Sequence, residues 1–103
     1  MSERISLFLD KLEENPDSLL NRFSLAQAYF EGGSYEQAII HLTICINKRS
    51  DWMMASLLLG KALVETGQKK EARVSLKQTI ILARNQGHED PEQEAKLLLA
   101  ECV

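Results

Sequence analysis

ASLLLGKAL, at residues 55–63, has a counterpart on each side of it: NRFSLAQAY at residues 21–29 and AKLLLAECV at residues 95–103. In each copy a leucine (Leu25, Leu59 or Leu99) is followed at once by alanine or glycine. Repeats of this period are typical of stacked units that bury their apolar faces only against their neighbours. The small residue predicts a place where another backbone comes close.

The composition predicts one compact helical domain. The chain has 103 residues, of which 45% are hydrophobic and 26% charged, with only two prolines and five glycines. Its longest nearly apolar run, residues 52–60, is too short to span a membrane. The amphipathic, acidic start does not resemble a secretion signal. We therefore expect a cytoplasmic protein whose two cysteines stay reduced.

Charge is distributed unevenly along the chain. Three basic and seven acidic residues lie in 1–47, eight and three in 48–86, and one and five in 87–103, which gives −4, +5 and −4 and the total of −3. Nucleic acid normally requires clustered lysine and arginine in a basic protein, so we do not expect it as a partner. Solvated helix faces are the simplest interpretation of the charge blocks.

Periodicity and capping signals predict six helices. The first covers about 3–14 and ends before Pro16, because proline disfavours helix in the residue that precedes it. The next four are predicted to end near Glu31, Lys48, Thr66 and Gln86, and the sixth to cover 90–103. The predicted N-caps are Asp17 or Ser18, Ser34 with Gln37, Ser50 or Asp51, and Asp90 with Gln93. Short connections make these helices antiparallel neighbours.

These residues resemble the tetratricopeptide repeat, or TPR, a helix-turn-helix unit of 34 residues. In the first full repeat, 19–52, the characteristic positions hold Leu25, Ala26, Tyr29, Gly33, Ala38, Leu42 and Cys45. In the second, 53–86, they hold Leu59, Gly60, Leu63, Gly67, Ala72, Leu76 and Thr79. Residues 1–18 resemble a trailing half repeat and residues 90–103 a C-terminal leading half. Arg84 replaces the closing proline, which predicts an extended trailing helix in the second repeat.

The resemblance implies an all-α fold, a short right-handed superhelical solenoid of antiparallel helix pairs. Catalysis is not expected, because His41 and His88 are the only histidines and no nucleophile motif accompanies them. Cysteine spacing suited to a metal and a Gly-Lys-Ser or Gly-Lys-Thr loop are both absent from the sequence. We therefore predict no enzyme, no metal and no cofactor.

In TPR proteins the leading helices line a concave groove that binds a partner protein. The resemblance assigns this groove to Leu20, Phe23, Gln27, Phe30, Met54, Leu57, Lys61 and Val64. Their spacing of three, four and three residues puts each set along one stripe of its helix. Packing between repeats is the alternative for some of them, especially Leu20 and Met54. The implied function is a non-catalytic adaptor that binds an apolar peptide segment or helix.

Two further expectations follow from the resemblance. TPR proteins that bind chaperone tails hold the terminal carboxylate with lysine, asparagine and arginine. The matching positions here are Phe23, Gln27, Leu58, Glu94 and Leu98, so no such clamp is expected. The alternative function is a self-associating scaffold, in which a second copy fills the groove or meets the sixth helix. The predicted contacts of that homodimer are Leu98, Leu99, Cys102 and Val103.

Overall fold

The computed structural model describes residues 2–103. Met1, which belongs to the predicted N-terminal half repeat 1–18, lies outside the described residues. Six helices make up the fold: α1 Glu3–Glu14, α2 Leu19–Glu31, α3 Tyr35–Lys48, α4 Met53–Glu65, α5 Lys69–Gln86 and α6 Glu89–Glu101. Each lies within about two residues of its predicted place, and residues 2–103 contain no strand. The all-α prediction is confirmed.

Of the predicted side-chain N-caps, one is observed and three are not. Ser18 caps α2 as predicted, since its Oγ accepts a hydrogen bond of 3.1 Å from the backbone N–H of Asn21. The other predicted side-chain caps are wrong: α3, α4 and α6 follow Ser34, Trp52 and His88, none of which makes a side-chain cap bond. The ψ angle of Ser34 is 65°, whereas Ser18 has the extended backbone that is usual for an N-cap.

The same turn joins the two helices of each full repeat. Gly33 and Gly67 have φ angles of +81° and +76°, which side chains other than glycine rarely adopt. The next N–H, of Ser34 or Gln68, donates back to Tyr29 or Leu63 at 2.8 and 2.9 Å. These bonds satisfy carbonyl groups at the end of the leading helix, as in a Schellman motif. The 34-residue repeat is therefore reproduced at the level of individual hydrogen bonds.

The helices form two layers. Successive helices pack against each other along the chain, and α4 also contacts α2 and α6. Within residues 2–103, the backbones of the trailing helices α1, α3 and α5 do not approach one another. Because α2, α4 and α6 are the more closely spaced set, we take them as the concave layer and the trailing helices as the convex layer.

A chain of buried clusters runs between the layers. Leu25, Leu42 and Leu76, which occupy large-residue positions of the repeat, are fully buried. Gly60 marks a close approach, but the neighbour is a side chain rather than the expected backbone. A Cβ atom there would lie 2.6 Å from Cδ2 of Leu76, so α4 and α5 pack closely at this point.

The long trailing helix of the second repeat is confirmed. α5 has 18 residues, compared with 14 in α3. Its last turns bury Leu82 and Ala83 in one cluster with Met53 at the start of α4. Arg84 then donates to Glu92 of α6 at 2.8 Å, which ties the final helix to the extension. None of the helices found in residues 2–103 has the length and hydropathy that a membrane span needs.

Candidate functional site

A depression of about 140 Å³ lies between α2 and α4 on the concave face. It is lined by Phe23, Gln27, Met54, Leu57, Leu58 and Lys61, and we call these six residues the concave groove. Five of the eight residues predicted for the groove therefore come together. The other three lie elsewhere: Leu20 is exposed, Phe30 packs edge-on against Tyr35, and Val64 packs against the core.

An aromatic pair borders the concave groove. The rings of Phe23 and Trp52 lie 4.9 Å apart at 30°, and the guanidinium of Arg49 sits 5.1 Å from the Trp52 ring centre. Trp52 was not among the predicted groove residues. It directly precedes α4, and its contact with Phe23 depends on how the two repeats pack. Paired aromatic rings give a large apolar surface that loses little conformational entropy on binding.

Burial decides between groove and core for three of the predicted residues. Leu20 and Met54 are 70% and 46% exposed, so the alternative that they pack between repeats is wrong. Leu57 lines the depression but is only 2% exposed and belongs to one cluster with Leu63 and Leu76, so it packs mainly in the core. The reason is the central place of α4, which has neighbours on several sides.

An ion pair closes one side of the concave groove. Nζ of Lys61 lies 2.6 Å from a carboxylate oxygen of Glu94 on α6, and both side chains are partly exposed. The pair cancels the only charged group that lines the concave groove. The remaining lining is apolar apart from the Gln27 amide, so the groove favours an uncharged, largely apolar ligand.

The two side chains that could be reactive, His41 and Cys45, have structural roles. Nδ1 of His41 lies 3.0 Å from a guanidinium nitrogen of Arg22, and the His41 ring stacks on Tyr29. Burial, together with the charge of Arg22, lowers the pKa of His41. Cys45, one helical turn later, is fully buried, and burial raises the pKa of its thiol to about 11. At neutral pH this thiol is protonated and unreactive. Across residues 2–103 no three histidine, cysteine or acidic side chains are grouped as metal ligands.

Comparison with known proteins agrees with this architecture. The family model of the tetratricopeptide repeat matches residues 21–51. A TPR repeat-containing protein of Pseudomonas aeruginosa is 31% identical over 88 residues, which cover 85% of this chain and 84% of the relative. The chain belongs to the tetratricopeptide repeat family. The all-α TPR solenoid predicted from the sequence is therefore confirmed.

Solved structures share the fold. The solution structure of a protein from Bordetella parapertussis has a TM-score of 0.83 at 24% identity and covers 99% of this chain and 89% of its own. The TPR2B domain of yeast Sti1, solved as a complex with pHsp70, has a TM-score of 0.84 at 14% identity, with 95% and 78% covered. At these identities the likeness concerns the fold alone.

The last helix of this TPR chain offers a smaller contact surface than predicted. Leu98 and Leu99 are partly buried against the core cluster and Cys102 is 3% exposed, so Cys102 is not accessible as a dimer contact. Arg73 donates to the Cys102 carbonyl at 2.8 Å, which fixes this end on α5. Of the four predicted contacts only Val103 is fully exposed, and Leu97, which was not predicted, is exposed beside them.

Proposed function

We propose that this TPR domain is a non-catalytic protein-interaction module whose concave groove binds an apolar segment of a partner protein. One observation carries the proposal: Phe23, whose ring packs on Trp52, and the half-exposed Met54 line a largely apolar depression of about 140 Å³, and exposed Leu20 lies one turn before Phe23 on α2. That volume is below the usual range for small-molecule sites, about 300–1,000 Å³, but suits one large apolar side chain. Membership of the TPR family supports a protein or peptide ligand.

The partner segment contributes one anchoring side chain, and its neighbouring residues make flanking contacts. An apolar side chain fills the depression over Leu57 and Leu58, and the neighbouring residues of the partner cover Leu20 and Met54. A few well-packed anchors commonly supply most of the binding energy of an interface. The Gln27 amide, which is exposed on the same face, can bond the partner's backbone.

The test uses two double variants that remove equal numbers of exposed apolar side chains. Leu20→Ser with Met54→Ser changes the concave face, and Leu7→Ser with Leu9→Ser, which are 48% and 37% exposed, changes α1 away from the groove. We expect the first pair to weaken binding of a partner captured by the wild-type domain at least about tenfold, and the second pair to leave it unchanged. Titration of the purified partner measures this. Equal binding by wild type and the concave variant contradicts the proposal.

An acidic peptide that ends in a free carboxylate tests the selectivity of the same groove. A carboxylate would meet Phe23, Leu58 and the Glu94 carboxylate instead of lysine, asparagine and arginine. We therefore expect no submicromolar binding of an acidic C-terminal chaperone peptide.

The alternative function, self-association through α6, rests on Leu97 and Val103. The acidic residues of α6 are partly engaged within the chain, because Glu92 pairs with Arg84 and Lys96, and Glu94 with Lys61. The exposed apolar surface at α6 therefore supports this alternative less well than the concave groove supports partner binding.

A further inference from the structure

A second groove lies on the convex face, opposite the concave groove. It encloses about 360 Å³ between α3 and α5, with α4 as its floor. Its lining residues, which we call the convex groove, are Ile39, Thr43, Leu59, Leu63, Gln68, Glu71, Val74 and Ser75. The groove exists because α3 and α5 both pack on α4 while their backbones stay apart.

The floor of the convex groove departs from the chain's own repeat pattern. In the first repeat, Leu25 is fully buried and forms one cluster with Ile5 and Leu12 of α1. Leu59 holds the corresponding position in the second repeat, yet it remains only partly buried and lines the groove beside Ile39. A leucine that the repeat normally encloses is thus accessible from the convex side.

The rim on α5 combines apolar and basic side chains. Val74 is 70% exposed, and Lys70 and Lys77 lie four residues before and three after it, along the same helical stripe. Ile81, also exposed, continues that stripe. On α3, Ile40 holds the position that corresponds to Val74 and is likewise exposed. An apolar ligand in the groove would therefore pass directly beside two lysines.

These lysines have no acidic partner within residues 2–103. Among the ion pairs of residues 2–103, none involves Lys70 or Lys77. Over the length of α5 there are five basic residues and one acidic residue, Glu71, which gives a net charge of +4. Glu71 is also the only acidic residue among those that line the groove. Arg84 is engaged by Glu92 and Arg73 by the Cys102 carbonyl, so the charges of α5 beside the groove are Lys70, Lys77 and Glu71, with one net positive charge.

We propose that the convex groove is a second binding site, which takes an acidic amphipathic helix of a partner protein. The apolar stripe of that helix lies over Leu59, Leu63 and Val74, and its carboxylates pair with Lys70 and Lys77. An amphipathic helix that lies in an apolar groove is a common mode of peptide recognition, and complementary charges fix its orientation. Two lysines beside an apolar floor, with Glu71 on the α5 wall, suit a carboxylate-bearing helix better than a phosphate backbone, which needs several cations.

The probe is a capped synthetic helix with leucines at positions i, i+4 and i+7 and glutamates on its other faces. Two control peptides keep its length: one has lysines for the glutamates, and the other has alanines for the leucines. We expect titration with the glutamate-leucine peptide to shift the backbone amide resonances of Thr43, Leu63 and Val74, and neither control to do so. The site is excluded if the lysine peptide binds equally well, or if the shifts fall on Phe23 and Met54 instead.

Matched variants locate the site. Val74→Glu should weaken binding of the glutamate-leucine peptide at least about tenfold, since it puts a carboxylate on the groove edge. Leu20→Glu, which changes an equally exposed residue on the concave face, should leave this binding unchanged. Lys70→Glu with Lys77→Glu should weaken the glutamate peptide and strengthen the lysine peptide.

Each alternative has its own outcome. Wild-type affinity of the Val74→Glu variant, or no measurable binding of the peptide to the wild-type protein, would overturn the proposal. So would a doubled protein mass in the absence of peptide that Val74→Glu returns to one chain, because the occupant would then be a second copy. Failure at this site leaves the concave groove unaffected, since that groove is tested through Leu20 and Met54.

Discussion

At the scale of single residues, Gly60 shows how one missing methyl group lets two helices approach. A Cβ atom at this position would lie 2.6 Å from Cδ2 and 2.9 Å from Cγ of Leu76, whose side chain is fully buried. We expect Gly60→Ala to lower the free energy of unfolding by about 1–3 kcal/mol, the usual cost of overpacking. Alanine's better helix propensity, worth up to about 1 kcal/mol, offsets part of this cost. Urea unfolding measures the net change.

Gly32→Ala is the control for this prediction. Its Cβ would meet only the Ala28 and Tyr29 carbonyl oxygens, at 3.4 and 3.7 Å, in an ordinary backbone conformation. We expect the free energy of unfolding to change by no more than about 0.5 kcal/mol.

Shortening the obstructing side chain by Leu76→Val should reduce the cost of Gly60→Ala, because the effects of substitutions in contact are not additive. Equal costs in both backgrounds would mean that Leu76 is not the obstacle.

At the scale of elements, two residues that lie on the same stripe of α4 differ in their burial. Leu57 and Met54 are three residues apart, but Leu57 lies in the core cluster whereas Met54 is 46% exposed. We expect Leu57→Ala to cost about 2–5 kcal/mol of unfolding free energy, as is usual for a buried leucine. Met54→Ala should cost about 0.5 kcal/mol or less, because it lies on the surface. Comparable losses in a denaturant titration would show that α4 is rotated relative to its neighbours.

At the scale of the whole molecule, the layered packing bears on the oligomeric state. Leu98, Leu99 and Cys102 pack on the core that α4 and α5 provide, so α6 directs little apolar surface outward. We expect light scattering at about 0.1 mM to give the mass of one chain, 11.6 kDa, although a dimer with a Kd of about 10 µM would be visible there. The mass should not change on Leu97→Glu. A mass of two chains that this substitution halves would instead establish the homodimer through α6.

The sequence by itself determined the number, order and approximate ends of the helices. These follow from local features: apolar periodicity, the glycines that close each leading helix, and Pro16. The 34-residue spacing of Leu25 and Leu59 was enough to indicate stacked repeats. The long α5 was likewise predictable, because Arg84 can continue a helix where proline would end it.

Only the tertiary structure decided which apolar side chains are accessible. Leu57 and Leu59 stand two residues apart in the same leucine-rich stretch, yet Leu57 is buried and Leu59 lines the convex groove. The contact of Trp52 with Phe23 and the pairing of Lys61 with Glu94 also join residues from different parts of the chain. Helical periodicity specifies one apolar face for each helix, whereas the burial of a residue depends on how many neighbouring helices cover it. That number is a property of the packed solenoid, in which α4 has neighbours on several sides and α3 and α5 leave a gap between them.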